Sequence, residues 1–246
     1  MQKQKMLAGH VALVTGGARR LGRASALTLA QSGADLVITF LNSAKDAEKT
    51  AGDIEGLGVR AMAIKCDVTR PADVQKSVQD VIKEFGRLDV LVNNAGSYET
   101  AKLDEISIEQ WDTIFAVNVR GPFLLAKAAV PHLRRSRGRI INLGSLGGLR
   151  AWADHAHYSA SKAALHMLTK AMAKALAPEI SVNCVAPGMI DLGEKSAREF
   201  MARMAKQTPM RRNGSGDDVS AAILFFATAP KFITGQIMAV DGGLSL

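Results

Sequence analysis

Short runs that are apolar at every position recur along this chain of 246 residues, separated by longer segments of helical period. Val11 to Val14, Leu36 to Ile38 and Val90 to Val92 are such runs. A strand with one wet face alternates apolar and polar residues, whereas a strand covered on both faces has no reason to alternate. The runs therefore predict buried strands near 10–15, 35–40, 60–66, 89–92, 138–144, 180–186 and 236–240. Helices are expected between them, near 20–32, 44–57, 71–85, 108–135, 156–177 and 217–228. Strand and helix in alternation give an α/β fold, a doubly wound, mainly parallel sheet of seven strands with helices on both faces. No linker, repeat or low-complexity stretch breaks the pattern, so residues 1–246 read as a single domain. In such sheets ligands bind beyond the carboxyl ends of the strands.

Composition narrows the function classes. The formal net charge is +8, but apart from Arg134, Arg135, Arg137 and Arg139 the cations are scattered among acids, and only 5% of residues are aromatic. That distribution lacks the basic stripe and the stacking platforms of a nucleic-acid binder, and no such partner is expected. Cys66 and Cys184 lie far apart in apolar runs without metal-ligand spacing, so neither a disulfide framework nor a metal site is expected. The opening Met1–Met6 run is followed by no long apolar stretch, and nowhere do eighteen apolar residues run uninterrupted. A soluble, cytoplasmic protein with no membrane partner is the expectation.

Polar and glycine residues gather where the strands should end. After the first strand comes a turn with Gly16, Arg19, Arg20, Leu21 and Gly22, opening a helix. Glycines let the backbone approach a pyrophosphate, and a helix N-terminus offers free N–H groups and positive partial charge. A tight turn alone would use the same residues. After the third strand, Asp67, beside Cys66 and Val68, has two readings, an acceptor for an adenine amino group or part of the start of the helix near Pro71. After the fourth strand, Asn93, Asn94, Ala95 and Gly96 are small and polar enough for a cofactor to lie against the main chain, or to make a turn. Tyr158 and Lys162 stand four apart, on one face if their segment is helical. An adjacent cation favours the phenolate and should lower the tyrosine pKa from about 10. Ser145, at the end of an apolar run, could hold a carbonyl or alcohol oxygen.

Taken together, these motifs resemble the short-chain dehydrogenase/reductase family from Thr15 to Gly243. The Gly-rich turn, Asn93 to Gly96, Asn118, Ser145, Tyr158, Lys162, Pro187 with Gly188, and the terminal Val240 to Gly243 stand in the family's order. The resemblance implies a Rossmann-type domain and an oxidoreductase moving hydride between a nicotinamide and a carbonyl or alcohol. It implies Tyr158 as general acid, Ser145 bonded to the substrate oxygen, and Lys162 on the nicotinamide ribose with its charge depressing the tyrosine. It also implies Asn118 holding a water that links Lys162 to solvent, and main chain near Ile190 meeting the nicotinamide amide. Two positions depart from the family: Leu192 stands where a threonine is common, and Arg20 replaces the middle glycine of the first turn, as in pteridine reductases.

Cofactor choice follows from the end of the second strand, where NAD-preferring folds place a carboxylate that repels a 2'-phosphate. Phe40 stands there instead, with Arg19, Arg20, Asn42 and Ser43 nearby to bind the phosphate, so NADP(H) is the expected cofactor. The segment 189–212, with Phe200, Met201, Met204 and Met210, is expected to cover the substrate, and Trp152, Asp154, His155 and His157 to line the other wall. An unspecified small-molecule carbonyl ranks first as substrate. A 3-oxoacyl thioester on an acyl carrier protein is second and a pterin third, the family resemblance extending to 3-oxoacyl-acyl-carrier-protein reductases and pteridine reductases. The non-enzymatic alternative is an NADP-sensing regulator or scaffold. The family also implies a homotetramer.

Overall fold

The computed structural model describes residues 5–246, so most of the opening run read for a targeting segment lies outside the described residues. In chain order the elements are β1 (Val11–Val14), α1 (Arg20–Gln31), β2 (Asp35–Phe40), α2 (Ala44–Glu55), β3 (Ala61–Lys65), α3 (Pro71–Phe85) and β4 (Val90–Asn93). Then follow α4 (Ile108–Phe115), α5 (Gly121–Ser136), β5 (Arg139–Leu143), α6 (Ala156–Leu176), β6 (Ser181–Pro187), α7 (Arg198–Gln207), α8 (Gly216–Thr228) and β7 (Ile237–Val240). All seven strands are parallel, in the order β3-β2-β1-β4-β5-β6-β7. The order reverses between β1 and β4, and there the helices following the two strands leave to opposite faces and open a crevice.

The unbroken apolar runs are explained by two cores, one on each face of the sheet. Ala12, Val14, Leu36, Ile38, Val90, Val92, Ile141 and Val185 pack with α1 and α8. Val11, Leu13, Val37, Leu91, Ile140 and Val182 pack with α3, α5 and α6. Successive residues of one strand thus point into different cores, and each must be apolar. Phe226 of α8 is among the largest fully buried side chains, and burial of one such ring stabilises by about 1.5–3 kcal/mol. The edge strands β3 and β7 are covered on fewer sides and only partly buried.

Two features depart from the sequence expectation. The single helix expected over 108–135 is two helices joined by a π-helical turn, Ala116–Arg120, and the segment 189–212 contains the helix α7. α4 starts at a capping box in which the Ser107 hydroxyl accepts from the Gln110 N–H and the Gln110 side chain accepts from the Ser107 N–H. The stretch Ile108–Ser136 is long and apolar enough on average to span a membrane, yet α4 packs on α6, and α5 on α3 and β4.

Candidate active site

The crevice at the β1/β4 reversal is held by one threonine and one asparagine. The Thr15 hydroxyl accepts from the main-chain N–H groups of Asn94 at 3.0 Å and Ala95 at 2.9 Å. The Asn94 amide donates back to the carbonyls of Thr15 at 2.7 Å and Gly16 at 3.1 Å. Asn94, expected to face a cofactor, therefore uses its side chain to fix the Gly-rich turn, since two carbonyls at hydrogen-bond distance claim both of its N–H bonds. Gly22 faces the same carbonyl: a Cβ there would lie 2.2 Å from the Gly16 oxygen and 2.5 Å from the Asn94 amide nitrogen. Gly16 has φ +62, the left-handed conformation that glycine tolerates.

α1 begins beyond this turn without a capping side chain and with no acid in its first turn, so the positive end of its dipole is uncompensated. Arg20, the residue in the family's glycine position, also takes a left-handed conformation, φ 53, and its guanidinium pairs with Glu194 of the segment after β6. Leu21 is half-buried and packs on the α1/α8 core, while Arg19 is exposed and makes no ion pair among the described residues. At the end of β2, Phe40 is half-buried, Asn42 exposed, and Ser43 precedes α2 without bonding its end. Asp67 does not cap α3. One carboxylate oxygen is bound by the Thr69 N–H at 2.9 Å and the Thr69 hydroxyl at 2.7 Å, which freezes the turn ahead of the helix. Val68 is buried against Gly121.

The residues of the expected proton chemistry meet where β4 and β5 end. Lys162 is buried on α6 and donates to the Leu143 carbonyl at 2.8 Å. A Cβ on Gly96 would sit 3.6 Å from that ammonium and 3.3 Å from the Asn118 carbonyl oxygen, so the three groups share one pocket. Asn118, buried in the π-helical turn, accepts from the Ser97 N–H at 2.8 Å and donates to the Ser97 carbonyl and the Ser161 hydroxyl at 2.9 and 3.0 Å. Its side chain is committed to these partners. The Ser145 hydroxyl accepts from the Gly147 N–H at 3.0 Å and borders the same space as the Tyr158 ring, a Cβ on Gly147 lying 3.4 Å from the hydroxyl and 3.3 Å from Tyr158 Cε1. Lys162 Nζ lies 5.8 Å from the centre of the Tyr158 ring.

Burial controls the charges here. It pushes the Tyr158 phenol above its usual range, outweighing the Ser145 hydroxyl, which pulls the other way. The expectation that Lys162 would depress the tyrosine is thus reversed: desolvation of the phenolate dominates, and the same desolvation lowers Lys162 itself to about 8. A phenol is protonated at neutral pH even at its ordinary value, and burial moves it further from ionising.

Pro187 ends β6, and Gly188 is packed so closely on Asp241 that a Cβ would lie 2.6 Å from the Asp241 Cβ. Ile190 forms an isolated parallel bridge with Gly214 whose hydrogen bonds are carried by Met189 and Asp191, not by Ile190 itself. Asp191, beside the Leu192 that stands in the threonine position, accepts from the Gly193 N–H at 2.8 Å. Met204 of α7 is buried against Leu146, Leu244 and Trp152, next to the serine turn, while Phe200 and Met210 are exposed. His157 does not line the wall: one residue from Tyr158 is about 100° around a helix, and His157 points into the fold.

Sequence reasoning passed over Tyr98. Its ring is stacked on His155 at 5.0 Å between centroids and set edge-on to Tyr158 at the same distance. Its hydroxyl lies 2.5 Å from His155 Nε2, and the Thr100 hydroxyl 3.1 Å. Only its place two residues beyond Gly96 could have hinted at this.

Comparison with known proteins agrees with the fold. The family described as enoyl-(acyl carrier protein) reductase matches residues 16–245. The 3-oxoacyl-acyl-carrier-protein reductase of Staphylococcus aureus is 37% identical over 238 residues, covering 95% of this chain and 97% of the relative. The enzyme of the same name from a Synechocystis species is 37% identical over 244 residues, covering 97% and 98%. Among solved structures, a dehydrogenase/reductase from Sinorhizobium meliloti superposes with TM-score 0.92 at 35% identity, covering 99% of this chain and 98% of that one. A blue fluorescent protein from a metagenomic library, solved with NADPH, superposes with TM-score 0.90 at 35% identity, covering 98% and 99%. With a doubly wound sheet of the same shape and near-complete coverage on both sides, the chain is a member of the short-chain dehydrogenase/reductase family of oxidoreductases.

Proposed function

We propose that the protein is an NADPH-dependent carbonyl reductase in which Tyr158 delivers the proton. The observation that carries this reading is the meeting of Ser145, Tyr158 and Lys162 at the strand ends. A dinucleotide fits the residues present: the Gly16/Gly22 turn has no room for side chains, and the uncapped start of α1 favours a pyrophosphate. The absence of a carboxylate at Phe40, with Arg19, Arg20, Asn42 and Ser43 around it, favours a 2'-phosphate, as does the NADPH of the metagenomic neighbour. Asp67, Val68, Ala95, Gly96, Pro187, Gly188 and Ile190 lie at the same strand ends and are read as lining the rest of the cofactor site.

When bound, the nicotinamide supplies hydride. This chain's residues supply the rest. Ser145 holds the phenol and the substrate oxygen together, Tyr158 gives its hydroxyl proton to that oxygen, and Lys162, 5.8 Å from the ring centre, is a cation that favours the resulting phenolate. Asn118, pinned between Ser97 and Ser161, keeps the π-helical turn beside Lys162, where a water serves proton resupply in this reading. A 3-oxoacyl thioester is the first substrate to test, because two curated relatives are named for it. The non-catalytic alternative keeps cofactor binding without turnover.

Assembly as a homotetramer belongs to the same reading. Ile108, Trp111, Phe123 and Met167 are exposed on the α4, α5 and α6 surface, around a groove lined by Phe115, Val119 and Leu168. A second copy would cover these groups. Cys66 and Cys184, both free and buried, suit a cytoplasmic location.

Replacing Tyr158 by Phe should lower turnover of acetoacetyl thioester by about 10²-fold or more while NADPH still binds, as read by steady-state kinetics and fluorescence titration. Full activity in that variant would end the proton-donor role. Phe40→Asp should move the kcat/KM preference toward NADH, and unchanged selectivity would count against a 2'-phosphate at this corner. Lys162→Met should abolish turnover yet raise stability at pH 7. The folded lysine is lowered from 10.5 to about 8, so below pH 8 the native state bears a charge that burial disfavours. That penalty is roughly 3 kcal/mol, less about 1 for the lost Leu143 bond. As pH rises from 8 to 10.5 the native lysine is neutral, the parent gains stability, and the advantage should shrink; urea unfolding at pH 7 and pH 10 measures it. Light scattering should give four times the chain mass, and a monomer would reject the tetramer.

A further inference from the structure

Ser145 lies on a turn, Gly144–Gly148, whose underside rests on a side chain that the proposed reaction does not use. His166, one helical turn after Lys162 on α6, is 6% exposed, and its Nε2 stands 3.4 Å from the main-chain nitrogen of Ser145. The ring fills the space beneath the turn. A Cβ on Gly144 would fall 2.3 Å from His166 Nε2, and one on Gly148 would fall 2.6 Å from its Cε1. Both glycines are therefore required by the imidazole as much as by the turn. To accept from the Ser145 N–H, Nε2 must present its lone pair, which places the ring proton on Nδ1.

The surroundings favour an uncharged ring, whose buried Nδ1 has no hydrogen-bond partner among the described residues. Burial, then Lys162, lower His166 to about 4 against an opposing main-chain bond to Gly148, with Lys170 adding a smaller push in the same direction as Lys162. Cys184 of β6, which touches the same space, is raised by burial to about 12 and is a neutral thiol. No carboxylate is among the groups acting on the imidazole. Ser145 is thus held at two points, its hydroxyl by the Gly147 N–H and its own N–H by His166.

We propose that His166 is a positioning residue for the reduction: its Nε2 lone pair anchors the Ser145 main chain so that the serine hydroxyl stays beside the Tyr158 phenol. The proposal rests on the carbonyl-reductase reading for its kinetic consequence, but not for its structural one.

Three measurements test it. In 15N-histidine spectra of the parent, with His166 assigned by its loss in His166→Gln, the ring should be the Nδ1–H tautomer and should not titrate between pH 8 and 5. An Nε2–H tautomer, or titration near 6.5, overturns the proposal. The chain has two tyrosines, so a Tyr98→Phe background leaves Tyr158 as the only one, and its phenolate absorbance can be followed without substrate. There His166→Leu should move Tyr158 to higher pH, in the direction expected of Ser145→Ala, and His166→Gln, which restores an acceptor, should return it toward the background value. Equal titration of the His166→Leu and unmutated backgrounds overturns the proposal, whether or not any carbonyl is reduced. With acetoacetyl thioester, kcat should fall about 10²-fold in His166→Leu at unchanged NADPH affinity and recover in His166→Gln. Equal kcat in the Leu and Gln variants overturns it. If the Leu variant does not fold, the tautomer and titration of the parent ring decide.

Discussion

The exchange of hydrogen bonds between Thr15 and Asn94 holds together the place where the sheet reverses. β1 and β4 are neighbours, but the helices that follow them leave on opposite faces, so side chains of the two loops themselves do much of the joining above the strand ends. One hydroxyl accepting two main-chain N–H groups and one amide donating to two carbonyls join them. Both contacts are partly buried, and each lost bond would leave a polar group with little water to replace its partner. The position of the Gly-rich turn, of the α1 N-terminus and of Gly96 beside Lys162 all follow from that join.

Above it, dryness is the dominant chemical property. Tyr158 and Cys184 are pushed up and Lys162 and His166 down, each toward its uncharged form and each chiefly by burial. A site built this way keeps a proton on the phenol and leaves a lysine that changes charge only slightly above neutrality. Electrostatic interactions within it are stronger than in water, because less solvent screens them. The Tyr98–His155 stack covers one side of the phenol, and Met204 with Trp152 presses on Leu146 beside the serine turn.

Most of this fold was legible because its information is local. Runs apolar at every position mark strands between two cores, and the strands, with the helices between them, fall within a residue or two of expectation. The meeting of Ser145, Tyr158 and Lys162 was legible through helical spacing and motif order. Other features depend on contacts far apart in sequence. That Asn94 is spent on Thr15, that Arg20 pairs with Glu194, and that His166 lies under Gly144 are facts of chain crossing, with no periodic trace. The direction of the tyrosine shift was misjudged because four-residue spacing shows a neighbour's charge but not how far water is excluded. α7 was missed because its residues are mostly polar and only Met204 is buried, so its helical period carries few apolar residues to read.

The wide turn at Ala116–Arg120 has a mechanical meaning. Each extra residue in a helical turn rotates everything after it by about 100° relative to an unbroken α-helix. Inserted between α4 and α5, such a phase slip lets one nearly continuous rod lay its first half against α6 and its second against α3, although no single apolar stripe could serve both. The joint carries Asn118 at its centre, so the adjustment that seats the rod is also the one that brings an amide up to the buried lysine.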